Sequence, residues 1–368
     1  MLALQIVVRL QPRGELLLAV DGTLLHKSGK GVFRIGWFHD PVASTKKRVA
    51  TALGNKWVVM GLIVTIPGVE RKFCLPIHAM LDHANAKLGE AELARRMLAD
   101  IRLWFPDRRI VLVGDGGFSA KNLLRELDEQ VRYVGLMRGD AALHDPKIPK
   151  RRKNKRGPKP KRGPRLLSPR EAAAKADRSR SRNSRWKWQT SEVYAYGQTR
   201  SFSVCSYQAV WPKVFGNRTI LVVLCRALDV GYDEVYLYTT DLNAHLGWVV
   251  EIYASRNAIE TVFKNSKQVM EIQKPQHWCQ ASIEKLAPWV WFAQSTVTLW
   301  YLTEGRKLPE AKAATKELGD WESEWSFRPM FRLLRSLTIR KTINATSTTK
   351  RDLTELIEAL ENYVYLAA

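Results

Sequence analysis

The sequence predicts an α/β protein: a mixed sheet flanked by helices, with an antiparallel β block inserted into it and a helical C-terminal region. Three observations carry that expectation. Strand and helix patterns follow one another as β-β-β-α-β-α-β up to Met137. Four β-rich runs separated by turn-forming residues then lie between Trp186 and Thr240. From Tyr253 onward the patterns are helical.

The first strand is Glu15 to Leu25 (ELLLAVDGTLL), an apolar run that carries Asp21 and then Gly22. Trp57 to Ile66 and Arg71 to Ile77 are two further strands joined by a turn at Pro67 and Gly68. Ala91 to Trp104 has helical periodicity and ends near Pro106. Arg109 to Val113 is a short β-branched strand of the fully buried kind. It delivers Asp115, and Gly116-Gly117 turns the chain toward a helix with Ser119 as its N-cap. Val131 to Met137 is the next strand. An acid on the first strand and another after the fourth, in this element order, is the pattern of an RNase H-like core.

Beyond Met137 the composition changes. Lys147 to Arg165 holds 11 Lys or Arg and four Pro among 19 residues, with no acid, so it is expected to be an extended segment outside any core. The runs WKWQTSEVYAY, SFSVCSYQAVW, TILVVLCRAL and EVYLYTT, with turn residues at Gly197, Pro212, Gly216-Asn217 and Gly231, read as an antiparallel meander. The block at 139–247 therefore interrupts a core formed by 1–138 and 248–303, and 304–368 is a helical tail. Helices are expected at Ser282 to Leu302, Trp321 to Leu337 and Lys350 to Leu366.

Composition narrows the function. A chain of 368 residues with 45% hydrophobic content and 13 Trp can bury a large core. A net charge of +23 points to a polyanionic partner, nucleic acid first. Cys74, Cys205, Cys225 and Cys279 are scattered and read as reduced core thiols of a cytosolic protein, neither zinc ligands nor disulfides. The N-terminus has no signal-peptide pattern, and the longest apolar run, Leu286 to Leu302, is interrupted by polar residues and suits a buried helix. No GxxxxGK[ST] loop is present around Gly114, Gly116 and Gly117, so no nucleotide cofactor is expected.

The stretch YASRNAIETVFKNSK, Tyr253 to Lys267, reads as one helix. At about 100° per residue its Tyr253, Arg256, Glu260 and Lys267 share a face beside an apolar stripe of Ile252, Ile259, Phe263 and Met270. A carboxylate flanked by cations suits a place where a metal ion and a phosphate backbone meet. Asp21, Asp115 and Glu260 stand 94 and 145 positions apart. Three carboxylates converging at one sheet edge repel one another unless cations lie between them, and hard oxygen ligands favour Mg²⁺ or Mn²⁺.

The motifs VDGT around Asp21, GDGGFSA around Asp115 and Tyr-x2-Arg-x3-Glu-x6-Lys make residues 15 to about 270 resemble a bacterial insertion-sequence DDE transposase of the insertion-sequence-four-like group. The resemblance implies a retroviral-integrase-like catalytic domain with a β-strand insertion. It also implies that Asp21, Asp115 and Glu260 bind two Mg²⁺ ions, with Mn²⁺ as a substitute, and that Tyr253, Arg256 and Lys267 hold the transposon end. The implied reaction is nicking at the element end followed by attack of the free 3′-hydroxyl on DNA. The partners are then transposon-end and target DNA and a second copy of the chain in a synaptic complex, with no membrane. Under that resemblance the basic run (Arg151, Arg152, Lys153, Lys155, Arg156, Lys159, Lys161 and Arg162) contacts the DNA backbone. Trp186 and Trp188, alternating about Lys187, are either core or a platform for a base turned out of the duplex. Only about 14 residues precede the first strand, where such enzymes carry a DNA-reading helical domain, so the sequence reads as a truncated copy or an alternative start. The rival expectations are an idle truncated regulator that pairs with a full-length enzyme, and a plain nuclease using the same site.

Overall fold

Leu16–His26 forms β1, around which the sheet is assembled. In the computed structural model, residues 2–40, 43–45, 47–67, 69, 71–83, 88–149, 160–179, 186–195, 197–228, 234–316 and 323–346 are described. A helix, α1 (Leu2–Leu10), precedes β1; β2 (Gly36–His39), β3 (Thr51–Thr65) and β4 (Lys72–Leu81) follow it. β3 runs antiparallel to β1 on one side and to β2 and β4 on the other. After α2 (Glu90–Trp104), β5 (Ile110–Gly114) enters parallel to β1, and every residue of it is buried. That is why its sequence, IVLVG, is continuously apolar rather than alternating. α3 (Lys121–Leu124) and β6 (Val131–Leu136) come next, with β6 parallel to β5. Four antiparallel strands continued by two parallel ones keep the RNase H-like order that the sequence predicts, with the short β2 added to the three strands expected ahead of α2.

The β-rich block does not build a sheet of its own. After α4 (Pro169–Arg178) come β7 (Gln189–Ala195), β8 (Gln198–Val210), the short α5 (Pro212–Phe215), β9 (Thr219–Ala227) and β10 (Val235–Thr239). β10 pairs antiparallel with β6, and the meander extends the core sheet in the order β2-β3-β1-β5-β6-β10-β9-β8-β7. Backbone edge groups on β6 are thus satisfied by the inserted block. α4 was not apparent from composition, yet its signal is in the sequence: Ser168 and Glu171 form a capping box with Pro169 in the first turn.

α6 (Leu246–Ser255) lies on β5, β6, β7, β8, β9 and β10 with Val249, Val250, Ile252 and Ala254 buried. The helix expected over Tyr253 to Lys267 is broken at Arg256, where α6 ends and α7 (Asn257–Gln268) begins. Arg256 N bonds Tyr253 O and Ile259 N bonds Arg256 O, both three residues back, a tight 3₁₀-type junction. The chain divides into two compact units, essentially Ala3–Glu260 and Thr261–Ala368, so that the sheet and α1 to α6 belong to the first. In the second, α8 (Gln280–Thr303), α9 (Glu310–Lys316) and α10 (Phe327–Thr346) are helical. The helix expected at Lys350 to Leu366 lies outside the described residues. Three cysteines are buried thiols, but Cys279 is exposed, at the N-cap of α8 rather than inside a core. No described helix is long and apolar enough to cross a membrane.

Candidate active site

The register of the two central parallel strands brings the first two acids together. Val20 pairs with Gly114, so Asp21 and Asp115 are the next residues of neighbouring strands, which lie about 5 Å apart. Gly114 is required at that point, since a Cβ there would fall 2.6 Å from Tyr133 Oη and 3.0 Å from Phe118 Cβ. Asp115 caps the 3₁₀ turn Gly116–Phe118, its Oδ1 accepting from Gly117 N at 2.8 Å and Phe118 N at 3.4 Å. Ser119 is not the N-cap of a helix. Its hydroxyl bonds Leu136 O (2.8 Å) and Tyr238 Oη (2.7 Å), which ties the Asp115 turn to β6 and β10. Gly116 and Gly117 turn the chain so tightly that Asp115 itself is placed to cap.

Glu260 arrives from α7, and Arg256 connects it to the strands. The Arg256 guanidinium donates to Asp21 Oδ2 at 2.7 Å through Nη1 and to Glu260 Oε1 through Nη2. Its side chain is 17% exposed and that of Asp21 15%, against 49% for Glu260, so the bridge runs from a buried acid to one facing solvent. Tyr253 lies under the same guanidinium, 6.0 Å from ring centre to Cζ. The 3₁₀ junction at Arg256 ends α6 and opens α7 at the residue that makes this bridge.

Burial is the largest influence on Asp21 and pushes its carboxyl up to about 6. Arg256 and the Gly22 amide, which donates to Asp21 Oδ1 at 2.8 Å, oppose that rise, while Asp115 and Glu260 add to it. Burial works against the charge on Arg256, but Asp21 and Glu260 hold it on, and its pKa stands above the ordinary value. The three acids and one arginine therefore form a single electrostatic unit.

Whether a divalent cation fits follows from the donors. All three are carboxylates, hard oxygen donors that suit Mg²⁺ or Mn²⁺. Among the described residues no three acids, histidines or cysteines are gathered closely enough to hold an ion. At this site the Arg256 guanidinium stands between Asp21 and Glu260. The chemistry of the three carboxylates suits such an ion, while Arg256 occupies two of them.

The remaining expected site residues are distributed differently. Lys267 lies on α7 in the second unit, half-buried. Trp186 is buried edge-on to Tyr207, with ring centroids 5.0 Å apart, so it is core and presents no face to a base. Trp188 donates its indole N–H to Asp177 (3.0 Å) beneath the Arg226 guanidinium, 4.7 Å from the ring. Both precede β7, so strand alternation does not govern where they point. Arg151, Arg152, Lys153, Lys155, Arg156 and Lys159 lie outside the described residues, whereas Lys161 and Arg162 are described and exposed.

Comparison with known proteins bears on this geometry. A family model for the DDE superfamily endonucleases matches residues 1–200, which take in Asp21 and Asp115 but not Glu260. No curated protein matches the chain. Among solved structures, a piggyBac transposase synaptic complex with hairpin DNA, determined by cryo-EM, is similar at a TM-score of 0.39 and 16% identity. That similarity covers 94% of this chain and 57% of the other, so the chain spans a little over half of its neighbour's length. Over more than half its residues, and across the two strands that carry the paired aspartates, the chain belongs to the DDE superfamily of endonucleases.

Proposed function

We propose that the chain is a transposase of the insertion-sequence type, cutting DNA at element ends and joining the freed 3′-hydroxyl to a second strand. The observation that carries this reading is the convergence of Asp21 and Asp115, on adjacent parallel strands, with Glu260 through Arg256. Asp21, Asp115 and Glu260 would hold the divalent ions, Mg²⁺ or Mn²⁺. When bound, those ions supply activation of the attacking oxygen and stabilisation of the leaving one.

The chain's own groups do the rest. The Asp115 turn is fixed by backbone amides, so its free oxygen has a constant position. Asp21 is anchored from the Gly22 amide, leaving Oδ2 to exchange partners. Arg256, released from Asp21, supplies a buried cation for a DNA phosphate, with Tyr253 supporting it from below. Lys267 adds a second cation farther along α7. The Tyr-Arg-Glu-Lys spacing supports the insertion-sequence-four-like group, and action on two ends supports a homodimer holding transposon-end and target DNA.

The test is cleavage and joining on supercoiled plasmid carrying the chain's flanking DNA, with Mg²⁺ or Mn²⁺. Nicking followed by strand-transfer products, both lost in Asp21→Asn, Asp115→Asn and Glu260→Gln, is the expected result. Metal-dependent cleavage without joining selects a plain nuclease, and neither activity in the intact chain contradicts the reading.

A further inference from the structure

β1 does not stop at the catalytic level. Past Asp21 it continues five residues to His26, beyond the last pair with β5; β4 follows on the far side of β3 only as far as the level of Thr23, and from Leu24 on β3 and β2 are its companions among the described strands. This three-stranded arm and its connections are strongly basic. Residues 26–50 contain six Lys or Arg and one acid, Asp40. That acid is buried and bonded to His26 Nε2 at 3.0 Å, away from the exposed cations, and even with its charge counted the segment stays strongly positive.

The register gives the arm a definite orientation. Pairing of Asp21 with Val59, Leu25 with Asn55 and Trp37 with Leu53 puts odd-numbered residues of all three strands on one face. Trp37 and Asp21 therefore share a face of the sheet. Lys27, whose amide bonds Leu53 O at 3.2 Å, extends the same row. Between them the face is covered by the β1–β2 connection, which is pinned by Asn55 Nδ2 on Phe33 O (2.9 Å) and carries Lys30 and Arg34. Lys47 and Arg48 stand exposed on the turn between β2 and β3. The opposite face is closed differently: Lys56, 5.9 Å from the Phe38 ring, is bound to Glu90 at 2.5 Å behind Gly22.

Trp37 is 70% exposed at the rim of this basic surface, on an edge strand where a large apolar side chain is otherwise a liability. A surface that combines an exposed indole with clustered cations matches a partner with repeating phosphates and apolar sugar faces. We propose that the arm is a duplex-DNA docking surface that holds the flank of the DNA beside the cleavage site. Six residues separate Asp21 from Lys27. At roughly 3.3 Å per strand residue that is about 20 Å, or about six phosphates of one DNA strand. Trp37 lies against the backbone there, and Lys30, Arg34, Lys47 and Arg48 neutralise its charge.

The inference rests on the reading of the chain as a metal-dependent DNA-cutting enzyme, and two measurements separate the failure of one from that of the other. First, Trp37 is replaced by p-benzoylphenylalanine, irradiated on a 40-base-pair random duplex in Ca²⁺, and then given Mn²⁺. Crosslinked DNA nicked about five to seven nucleotides from the attachment point is expected. Nicks scattered without a fixed spacing, or efficient nicking with no crosslink, overturn the arm's role. Second, Lys47→Gln/Arg48→Gln is compared with the intact chain in binding to the same duplex across a salt series. The slope of log affinity against log salt should fall by about 2, one for each lost phosphate contact; an unchanged slope overturns the proposal. If DNA is never nicked but the slope still falls, the cleavage function fails and the arm's contact with DNA stands.

Discussion

Arg256 is both the partner that ionised Asp21 needs and the occupant of the space between Asp21 and Glu260. A buried acid held near pKa 6 is under strain at neutral pH, as groups kept for chemistry often are. The folded carboxyl keeps its proton up to about 6, whereas the unfolded one loses it near 3.8. Stability therefore falls as pH rises through that window and remains lower above it, by about 2–3 kcal/mol from this residue. Asp21→Asn cannot lose a proton, so unfolding in EDTA at pH 4 and pH 7 should show this loss in the wild type and not in the variant. Equal pH dependence in both would remove Asp21 as the source. Arg256→Gln tests the other side of the bridge. With the guanidinium gone, the acids repel one another, and Mn²⁺ should bind about tenfold more tightly in the absence of DNA. Weaker binding would mean that Arg256 supports the ion site rather than filling it.

At the scale of elements, β5 and its turn are the part most exposed to small changes. Gly114→Ala would set a methyl 2.6 Å from the Tyr133 oxygen and 3.0 Å from Phe118 Cβ, in a strand with no free space on either side. We expect a loss of about 1–3 kcal/mol and displacement of Asp115; thermal melting checks the first and Mn²⁺ affinity the second. A variant as stable as the wild type would show that the strand end can shift. Most of these elements were legible in the sequence: β1, β3, β4, β5, β6, α2, α8 and the four strands of the meander follow from apolar runs and turn residues. What was not legible depended on tertiary partners. The break at Arg256 has no Gly or Pro to mark it and coincides with the bridge to Asp21. Ser119 has the composition of an N-cap but is used by Leu136 and Tyr238. Trp186 and Trp188 could not be assigned from alternation because Tyr207, Asp177 and Arg226 decide where they lie.

At the scale of the molecule, the continuous sheet joins the strands that carry the paired aspartates to an inserted meander, which the sequence shows as separate blocks. Pairing of β10 with β6 is a long-range event that no local pattern announces. The positions of Asp21 and Asp115 were legible because parallel strands in register deliver residues side by side. The charge was legible too, and its expected consequence is general: +23 over the chain should let it bind any duplex by counterion release. Affinity for random DNA should be high at low salt and fall steeply as salt rises. Preference for an element end over a scrambled duplex at about 150 mM salt should be roughly tenfold or less, against the 10³ or more of a specific binder. A strong preference in a competition titration would show that this chain reads sequence unaided.

In the proposed function, Asp21, Asp115 and Glu260 serve one divalent-ion site. Its most direct test is Mn²⁺ binding followed by electron paramagnetic resonance on the intact chain, Asp21→Asn, Asp115→Asn and Glu260→Gln, each with a short duplex present. Every one of the three substitutions should weaken binding by about tenfold or more while the melting transition stays cooperative, since each removes one anionic ligand and keeps the side chain's shape. Wild-type Mn²⁺ affinity in any of the three would contradict it, and retention in Glu260→Gln would separate α7 from the site altogether.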